Sequence, residues 1–499
     1  MPNHKDLLGA IDALQGVPSI TADSWDSLSE PVLASLKSKD KIQREPDDIA
    51  SIDRLNDYAA RVISPCLADE SEHVQADEEY EQVAQRSRAI APLGLEVLQV
   101  LSEEFSAKFS EDTICTVISF TDLTDPWTTQ EAFDLANAVV AGQVLRSQDP
   151  AVLNEDILKG YLRPLFSKAR PKTVTASGRK AAFPEEDDPH RGLTDETKDV
   201  KPWKYADHRA ITVFEWVVST ATPDHMSKQW PLFVPVLLTL LDDGATRVRS
   251  RGLIILDAFL LKFPDNILRD TGLASVFEDA VFPTLHFLPT ITPEEESTQL
   301  LGQAYTALLT LAGKLDVSPS AGKVASSTPR AKLLDKMLRE GVFSAYFHSK
   351  EHIRIVEVLL VHTARILGVM RVQGVKHLKD LIPMYSEIMT NPFAALAPPT
   401  LSAAISCLQV TIANCWPRLS TPAYQFELIK MLVVCYLTLH DDKDKLYGEQ
   451  FAAIEAAIVQ TASMLTFATK SCEGSEGQVL RERVAPLITK EPLLANLFT

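Results

Sequence analysis

Hydrophobic residues along most of the chain recur at every third or fourth position, the spacing that places them on one face of an α-helix. The segments Trp230–Leu241 and Val248–Phe263 both follow this spacing. Between them, residues 242–246 have the composition of a turn, since Asp, Gly and Thr are typical of turns and helix starts. Pro231 and Pro235 are interpreted as residues of a first helical turn, where proline is tolerated. The pattern therefore predicts two helices joined by a turn.

The same arrangement recurs further along the chain. Segments Val281–Leu315 and Leu378–Leu419 each contain a helix, a polar turn and a second helix, and Tyr424–Tyr436 pairs in the same way with Gln450–Phe467. A repeat of about 40–50 residues is typical of HEAT and armadillo units, in which each hairpin buries its apolar stripe against its neighbours. The sequence shows no alternating segments between paired turn signals. We therefore expect an all-α fold, an α-solenoid of HEAT/armadillo-like helical hairpins.

Two polar segments divide the predicted helices. Residues 167–202 carry basic and then acidic side chains with little that can be buried, and residues 316–328 have four Ser together with Pro and Gly. We expect an irregular N-terminal helical region over 1–166, a polar, flexible loop over 167–202 and central HEAT-like hairpins over 203–315. A disordered insert over 316–328 and C-terminal HEAT-like hairpins over 329–499 follow. Both polar segments contain Ser or Thr near Lys or Arg and are candidates for phosphorylation.

Charge and glycine content exclude several classes of function. The chain has 49 Lys and Arg against 67 Asp and Glu, a net charge of −18. Such an acidic surface repels phosphate backbones, so we expect no nucleic-acid partner. Only 19 of the 499 residues are Gly. Glycine-rich phosphate loops and all-β folds depend on Gly, so its scarcity counts against nucleotide-binding folds and against all-β folds.

The six cysteines form no CxxC pair, so neither a zinc site nor a disulfide framework is predicted. Cys407, Cys415 and Cys435 stand in apolar periodic segments and are interpreted as core residues. The N-terminus lacks the pattern of a secretory signal. The longest purely apolar stretches, such as Phe233–Leu238, are far shorter than the roughly 20 residues of a membrane span. We expect a soluble, intracellular protein without a membrane partner.

One histidine pair has the spacing of a metal site. His348, Glu351 and His352 form an HxxEH pattern, the inverted form of a zinc hydrolase motif, and Glu357 is available as a further acidic ligand. The alternative interpretation is a solvated polar segment that opens a helix. The sequence has no GxSxG, P-loop or GxGxxG motif. We therefore predict no catalytic residue, no resident metal and no cofactor, and a zinc hydrolase at His348 and His352 remains only a remote alternative.

Basic and aromatic residues near the centre of the chain are candidates for partner binding. Arg247, Arg249 and Arg251 lie at the start of a predicted second helix. Arg249 matches a structural position of HEAT units. Arg247 and Arg251 either have a structural role too or bind an acidic partner segment or a phosphopeptide. Trp203 directly follows the polar loop. It is either a docking anchor or a residue that holds the loop against its own solenoid.

The central motifs together resemble a known family. Lys201-Pro202-Trp203 is followed by the Trp-bearing segment Ala210–Val217, then by Trp230-Pro231 and by Leu240–Asp243. This order of motifs resembles the Tel-two-interacting-protein-two family. Residues 1–160 carry no motif that matches.

The resemblance implies a non-enzymatic α-solenoid subunit of the TTT complex, a co-chaperone assembly that works with the HSP-ninety machinery. That complex supports the maturation of phosphatidylinositol-3-kinase-related kinases of the TOR, ATM and ATR types, and hence growth signalling, DNA-damage responses and telomere maintenance. The implied direct partners are the larger HEAT-repeat subunit and the Tel-two-type subunit, and the implied locations are cytoplasm and nucleus. The family has no catalytic residues to transfer.

The C-terminal hairpins, roughly Leu378–Thr499, or the central hairpin are the expected docking region for the larger subunit. Leu493, Leu494, Leu497 and Phe498 are apolar, where a terminal capping helix should be polar. An importin-like cargo carrier is an alternative that should show stacked Trp–Asn pairs along successive helices, and only Asn414 with Trp416 comes close. Another kind of assembly scaffold also stays open.

Overall fold

The computed structural model describes residues 46–66, 76–146, 150–167, 199–315, 328–445, 447–470 and 476–498. Within these ranges the chain is helical, without a β-strand, and contains one isolated bridge between Cys66 and Asp207. The all-α prediction is confirmed. The predicted polar loop over 167–202 and the predicted insert over 316–328 lie mostly outside the described residues, and the predicted domain ranges stay predictions.

Contacts divide the chain into two compact units. The first contains Met1–Asp243 and Leu261–Val276, and the second contains Gly244–Leu260 and Phe277–Thr499. The described helices up to residue 243 are α1 (Pro46–Ile63), α2 (Ala76–Phe105), α3 (Glu111–Ile118), α4 (Gln130–Arg146), α5 (Pro150–Asp156), α6 (Arg163–Phe166), α7 (Pro202–Tyr205), α8 (Ala210–Thr220) and α9 (Pro223–Asp242). The next helices are α10 (Thr246–Lys262), α11 (Asp265–Asp270) and α12 (Leu273–Val281).

Helix α9 begins earlier than the sequence pattern predicts. The Thr222 side chain accepts a hydrogen bond from the backbone N–H of His225 and thereby caps the helix at Pro223. Pro231 and Pro235 consequently lie inside the helix, and their assignment to a first turn is wrong. The segment before Trp230 is polar on its exposed side, so its apolar periodicity is too weak to predict the first two turns. Burial of the apolar residues after Trp230 stabilises the helix despite its two prolines.

The second unit consists of helices arranged in two layers. Its helices beyond α12 are α13 (Glu294–Lys314), α14 (Pro329–Lys336), α15 (Ser344–Ser349), α16 (Ile353–Met370), α17 (Leu378–Met389), α18 (Pro398–Leu419), α19 (Pro422–Asp441), α20 (Gly448–Lys470) and α21 (Glu476–Lys490). In one layer α13, α16, α18 and α20 pack side by side, and in the other α17, α19 and α21 do so. Consecutive helices such as α17 and α18 form hairpins between the layers. This is the arrangement of an α-solenoid.

A π-helical turn, Met337–Phe343, packs closely against α13. A Cβ atom added at Gly341 would lie 2.9 Å from the Tyr305 hydroxyl and 3.0 Å from Leu285, so only glycine fits there without rearrangement. The Tyr305 ring in turn stacks on His362, with ring centroids 5.2 Å apart. Burial, together with the charge of Arg365, lowers the pKa of His362 to about 4.

Helix α20 meets the length and composition of a membrane span, although the sequence pattern predicted none. It is the one helix in the described ranges that does, and 39% of its most apolar window is buried. It packs against α18, α19 and α21 and buries Ile454, Ile458 and Leu465. Core helices of globular units have the same length and composition, and its contacts make α20 a layer helix of the second unit.

Candidate interaction surfaces

Two lysines of the central motif form ion pairs with one buried aspartate in the first unit. The Lys201 and Lys204 ammonium groups each lie 2.8 Å from a different carboxylate oxygen of Asp243. The Asp243 side chain is fully buried, whereas the lysine side chains are 14% and 16% exposed. This Asp243 cluster joins the start of α7 to the end of α9. The Lys201-Pro202-Trp203 motif and the Leu240–Asp243 motif are far apart in the sequence, and these ion pairs bring them together in one structural element.

Trp203 lies between these two lysines in the sequence and is 1% exposed. Its indole stacks on Phe166, with ring centroids 5.0 Å apart and an interplanar angle of 12°. The ring thus packs in the interior of the first unit and offers no surface to a partner in this conformation. This placement agrees with the internal role that the sequence left open and speaks against Trp203 as a docking anchor.

A second charged cluster lies around Arg209. Its guanidinium forms two hydrogen bonds of 2.9 and 2.8 Å with the carboxylate of Asp207, and it donates another of 2.6 Å to Thr116. The Cys66 thiol donates to the same carboxylate at 3.3 Å, and the Tyr161 ring lies 5.4 Å from the guanidinium. This Arg209 cluster connects the end of α1, α3, the π-helical turn Ile157–Leu162 after α5 and the start of α8.

The electrostatics of the Arg209 cluster are those of a buried ion pair. Burial raises the pKa of Asp207, but the hydrogen bonds and charge of Arg209 outweigh it and hold this pKa below its ordinary value. Burial, together with the Asp207 charge, raises the pKa of Cys66 to about 12. The thiol is therefore protonated and acts as a hydrogen-bond donor rather than as a nucleophile. Sequence reasoning missed this cluster because Asp207 and Arg209 stand in an ordinary polar segment.

The three arginines at the start of α10 differ in environment. Arg249 is buried, donates to Thr284 at 3.3 Å, and lies 4.7 Å from the centre of the Phe287 ring, so its predicted structural role is confirmed. Arg247 is exposed and Arg251 is half-buried. Partner binding by these two residues stays a prediction.

The chain end folds back on the second unit. The 3₁₀ helix Pro492–Asn496 packs against α21, and Leu494 and Leu497 are each 1% exposed. Leu493 and Phe498 remain half-buried. The apolar chain end is therefore partly covered by the chain itself, because a turn after α21 buries Leu494 and Leu497, and docking of the larger subunit at this end stays a prediction. Only Leu493 and Phe498 retain surface for a partner.

The histidine pair does not form a metal site. The His352 ring nitrogen lies 3.0 Å from the Glu294 carboxylate, at the start of α16, while the His348 ring packs edge-on against Phe347. Among the described residues, no group of three or more His, Cys, Asp or Glu is placed to hold a metal ion. The pair thus agrees with a polar segment that opens a helix.

The three central cysteines are buried as predicted. Cys407, Cys415 and Cys435 are at most 2% exposed. Burial raises the pKa of Cys407 and Cys435 to about 12 and that of Cys415 to about 11, so these thiols are protonated and unreactive.

A groove in the second unit lies between the start of α16 and the start of α18. It has a volume of about 260 Å³, and Ile353, Val356 and Leu401 form part of its apolar lining. Lys350 and Glu387 form a 2.8 Å ion pair at its rim. The nearby Phe393 is 69% exposed. The groove combines apolar walls with the Lys350–Glu387 ion pair at its rim.

Comparison with known proteins assigns the chain to a family. A family model described as the Tti2 family matches residues 113–396, which is more than half of the chain. The chain belongs to the Tti2 family. The resemblance read from the central motifs is confirmed, and the Asp243 and Arg249 positions of this Tti2-family chain both lie inside the matched range. No curated protein matches the sequence.

Solved structures similar to this Tti2-family chain include a crystal structure of Kap121p bound to Pho4p, with 12% identity and a TM-score of 0.44. A crystal structure of importin beta in a polyethylene glycol condition has 14% identity and a TM-score of 0.40. They cover 98% of this chain, which spans only 42% and 57% of theirs. The importin-like alternative predicts stacked Trp–Asn pairs, for which Asn414 and Trp416 are the nearest match. The Asn414 amide donates a hydrogen bond to the Val410 carbonyl of its own helix at 2.8 Å.

Proposed function

We propose that this Tti2-family chain is a non-enzymatic scaffold subunit of the TTT complex. In this role it binds the larger HEAT-repeat subunit and the Tel-two-type subunit directly. Through them it assists the HSP-ninety-dependent maturation of kinases of the TOR, ATM and ATR types, in the cytoplasm and the nucleus. The observation that carries the proposal is the family match over residues 113–396.

The structure supports a scaffold role through its layered helices. A layer of parallel helices such as α13, α16, α18 and α20 offers a long surface on which contacts are distributed over several repeats. Buried ion pairs such as the Asp243 cluster hold neighbouring segments in fixed positions. A subunit of this kind contributes binding area rather than chemistry.

The test is depletion of the protein from cells, followed by expression of the wild type or of variants. Without the protein, the steady-state amounts of the TOR-, ATM- and ATR-type kinases should fall, and the wild type should restore them. The Asp243→Ala variant, which loses the buried carboxylate, should restore them less than Asp242→Ala, which changes the exposed neighbour. Unchanged kinase amounts after complete depletion, or purification without the two expected subunits, would contradict the proposal.

A further inference from the structure

One exposed surface of the second unit carries no charged side chain. It is formed by neighbouring helices α18 and α20 on the side that faces away from α17, α19 and α21. Its exposed side chains include Ser406, Ala413 and Trp416 of α18 and Ala456, Ser463 and Phe467 of α20. We call this surface the neutral face.

The lack of charge follows from the sequences of the two helices. Helix α18 has no charged residue before Arg418, and between its ends α20 has only Glu455. The Glu455 carboxylate accepts hydrogen bonds from Tyr436 at 3.2 Å and from His440 at 3.0 Å, both in α19. It therefore points to the other layer. In a chain with 23% charged residues, a surface two helices wide without charge is typical of a protein–protein contact.

The neighbouring surface of the same layer differs. Between α13 and α16, Arg354 forms an ion pair with Glu295 at 3.0 Å, and Arg365 donates to Thr306 at 3.0 Å. Charged groups there are exposed and already engaged in contacts between the two helices. The neutral face thus begins at α18.

The two helices of the neutral face are held in a fixed register. The Gln409 amide of α18 donates to the Ala457 carbonyl and to the Thr461 hydroxyl of α20, both at 3.1 Å. In this register Trp416 and Phe467 stand at the same end of the face, where they are 39% and 75% exposed. The surface is therefore formed before a partner arrives, which lowers the entropy cost of binding.

Two cations stand at that same end. Arg418 lies in the last turn of α18 and Lys470 ends α20, and both are exposed. Neither forms an ion pair with another residue in the described part of the chain. Small residues along the face allow close approach of another helix, and the aromatic pair offers area for apolar contacts. The cations complement negative charge at one end of that helix.

We propose that the neutral face binds an amphipathic helix of another protein, with small and aliphatic side chains on its buried side and acidic side chains at one end. The acidic end lies at Arg418 and Lys470, and the apolar side covers Trp416 and Phe467. A second copy of this chain fits less well, because an antiparallel α20 would bring only Glu449 to face the two cations. This inference does not depend on which complex contains the protein.

The test uses a fluorescent helical peptide of about 18 residues, a length that matches the roughly 30 Å of α18. One version has an Ala/Leu face and three glutamates at one end, and the other has lysines in place of the glutamates. Fluorescence anisotropy with the full chain should show binding of the glutamate peptide and much weaker binding of the lysine peptide.

Variants decide whether the neutral face is the site. Phe467→Glu should weaken binding of the glutamate peptide about tenfold or more, and Ser463→Arg should weaken it independently. Phe347→Glu is the matched control, since Phe347 is 76% exposed but lies on α15, and it should leave binding unchanged. Lys470→Glu should reduce binding of the glutamate peptide and improve binding of the lysine peptide.

Three results would overturn the inference. The first is no binding of the glutamate peptide to the wild type, and the second is equal loss in the Phe467→Glu and Phe347→Glu variants. The third is a wild-type dimer in light scattering that Phe467→Glu converts to monomer, which would assign the face to a second copy. Thermal unfolding of each variant confirms that the exposed substitutions leave the fold intact.

Discussion

Replacement of Asp243 by alanine tests whether the Asp243 cluster stabilises the first unit. The substitution removes a fully buried carboxylate from two ammonium groups at 2.8 Å. Removal of one partner from a buried ion pair costs about 3–5 kcal/mol. Because the lysine side chains are 14% and 16% exposed and can turn toward water, we expect the lower end, about 3 kcal/mol. For a unit of this size that loss lowers Tm by about 6–12 °C.

The assay is thermal unfolding followed by circular dichroism, combined with hydrogen exchange of the backbone amides in α7 and at the end of α9. Asp242→Ala is the matched control, since Asp242 is exposed, and its effect should stay within about 0.5 kcal/mol. Asp243→Asn keeps the shape but not the charge, so its loss should lie between the two.

Equal Tm shifts for Asp242→Ala and Asp243→Ala would refute the reasoning. A double-mutant cycle of Asp243→Ala with Lys204→Ala gives a second criterion, because groups in direct contact show a coupling of about 0.5–3 kcal/mol. A coupling near zero would mean that the ion pair contributes nothing to the stability of the first unit.

Three further predictions concern other buried groups. Arg209→Lys loses the paired hydrogen bonds to carboxylate and threonine, and should lower the free energy of unfolding by about 2–3 kcal/mol in urea titrations. Gly341→Ala should destabilise by about 1–3 kcal/mol through overpacking, whereas Gly313→Ala, which meets open space, should stabilise by about 0.5–1 kcal/mol. As pH falls from 6.5 to about 4, the unfolded chain binds a proton at His362 before the folded chain does, so stability should fall by about 3 kcal/mol. His362→Phe should remove that pH dependence, while His348→Phe should not.

Much of the fold follows from local pattern, because apolar stripes of period three to four specify helices without reference to the rest of the chain. The hairpin of α17 and α18 was predicted as Leu378–Leu419, and its helices run Leu378–Met389 and Pro398–Leu419. The start of α9 was missed, since a capping threonine and a polar first turn leave little periodic signal. Local pattern thus predicts which segments are helices better than where they begin.

The charged clusters were beyond sequence reasoning for a different reason. Lys201 and Asp243 are recognisable as motif residues, but their contact depends on how α7 packs at the end of α9. The buried pair of Asp207 and Arg209 looks like ordinary surface polarity in a linear sequence. In the same way, the burial of Leu494 depends on tertiary contacts with α21. Contacts between distant segments are set by packing, which no single segment encodes.

The neutral face and the net charge of the chain together set how a partner approaches. A chain of net charge −18 repels other acidic proteins over most of its surface, within a Debye length of about 8 Å at physiological salt. At the neutral face that repulsion is least, and Arg418 with Lys470 makes one end attractive to an acidic helix. Affinity there should come mainly from apolar area, while the two cations should set orientation and association rate. Raised salt should therefore slow association with the glutamate peptide by more than it speeds dissociation, and the opposite pattern would show that charge rather than area holds the complex together.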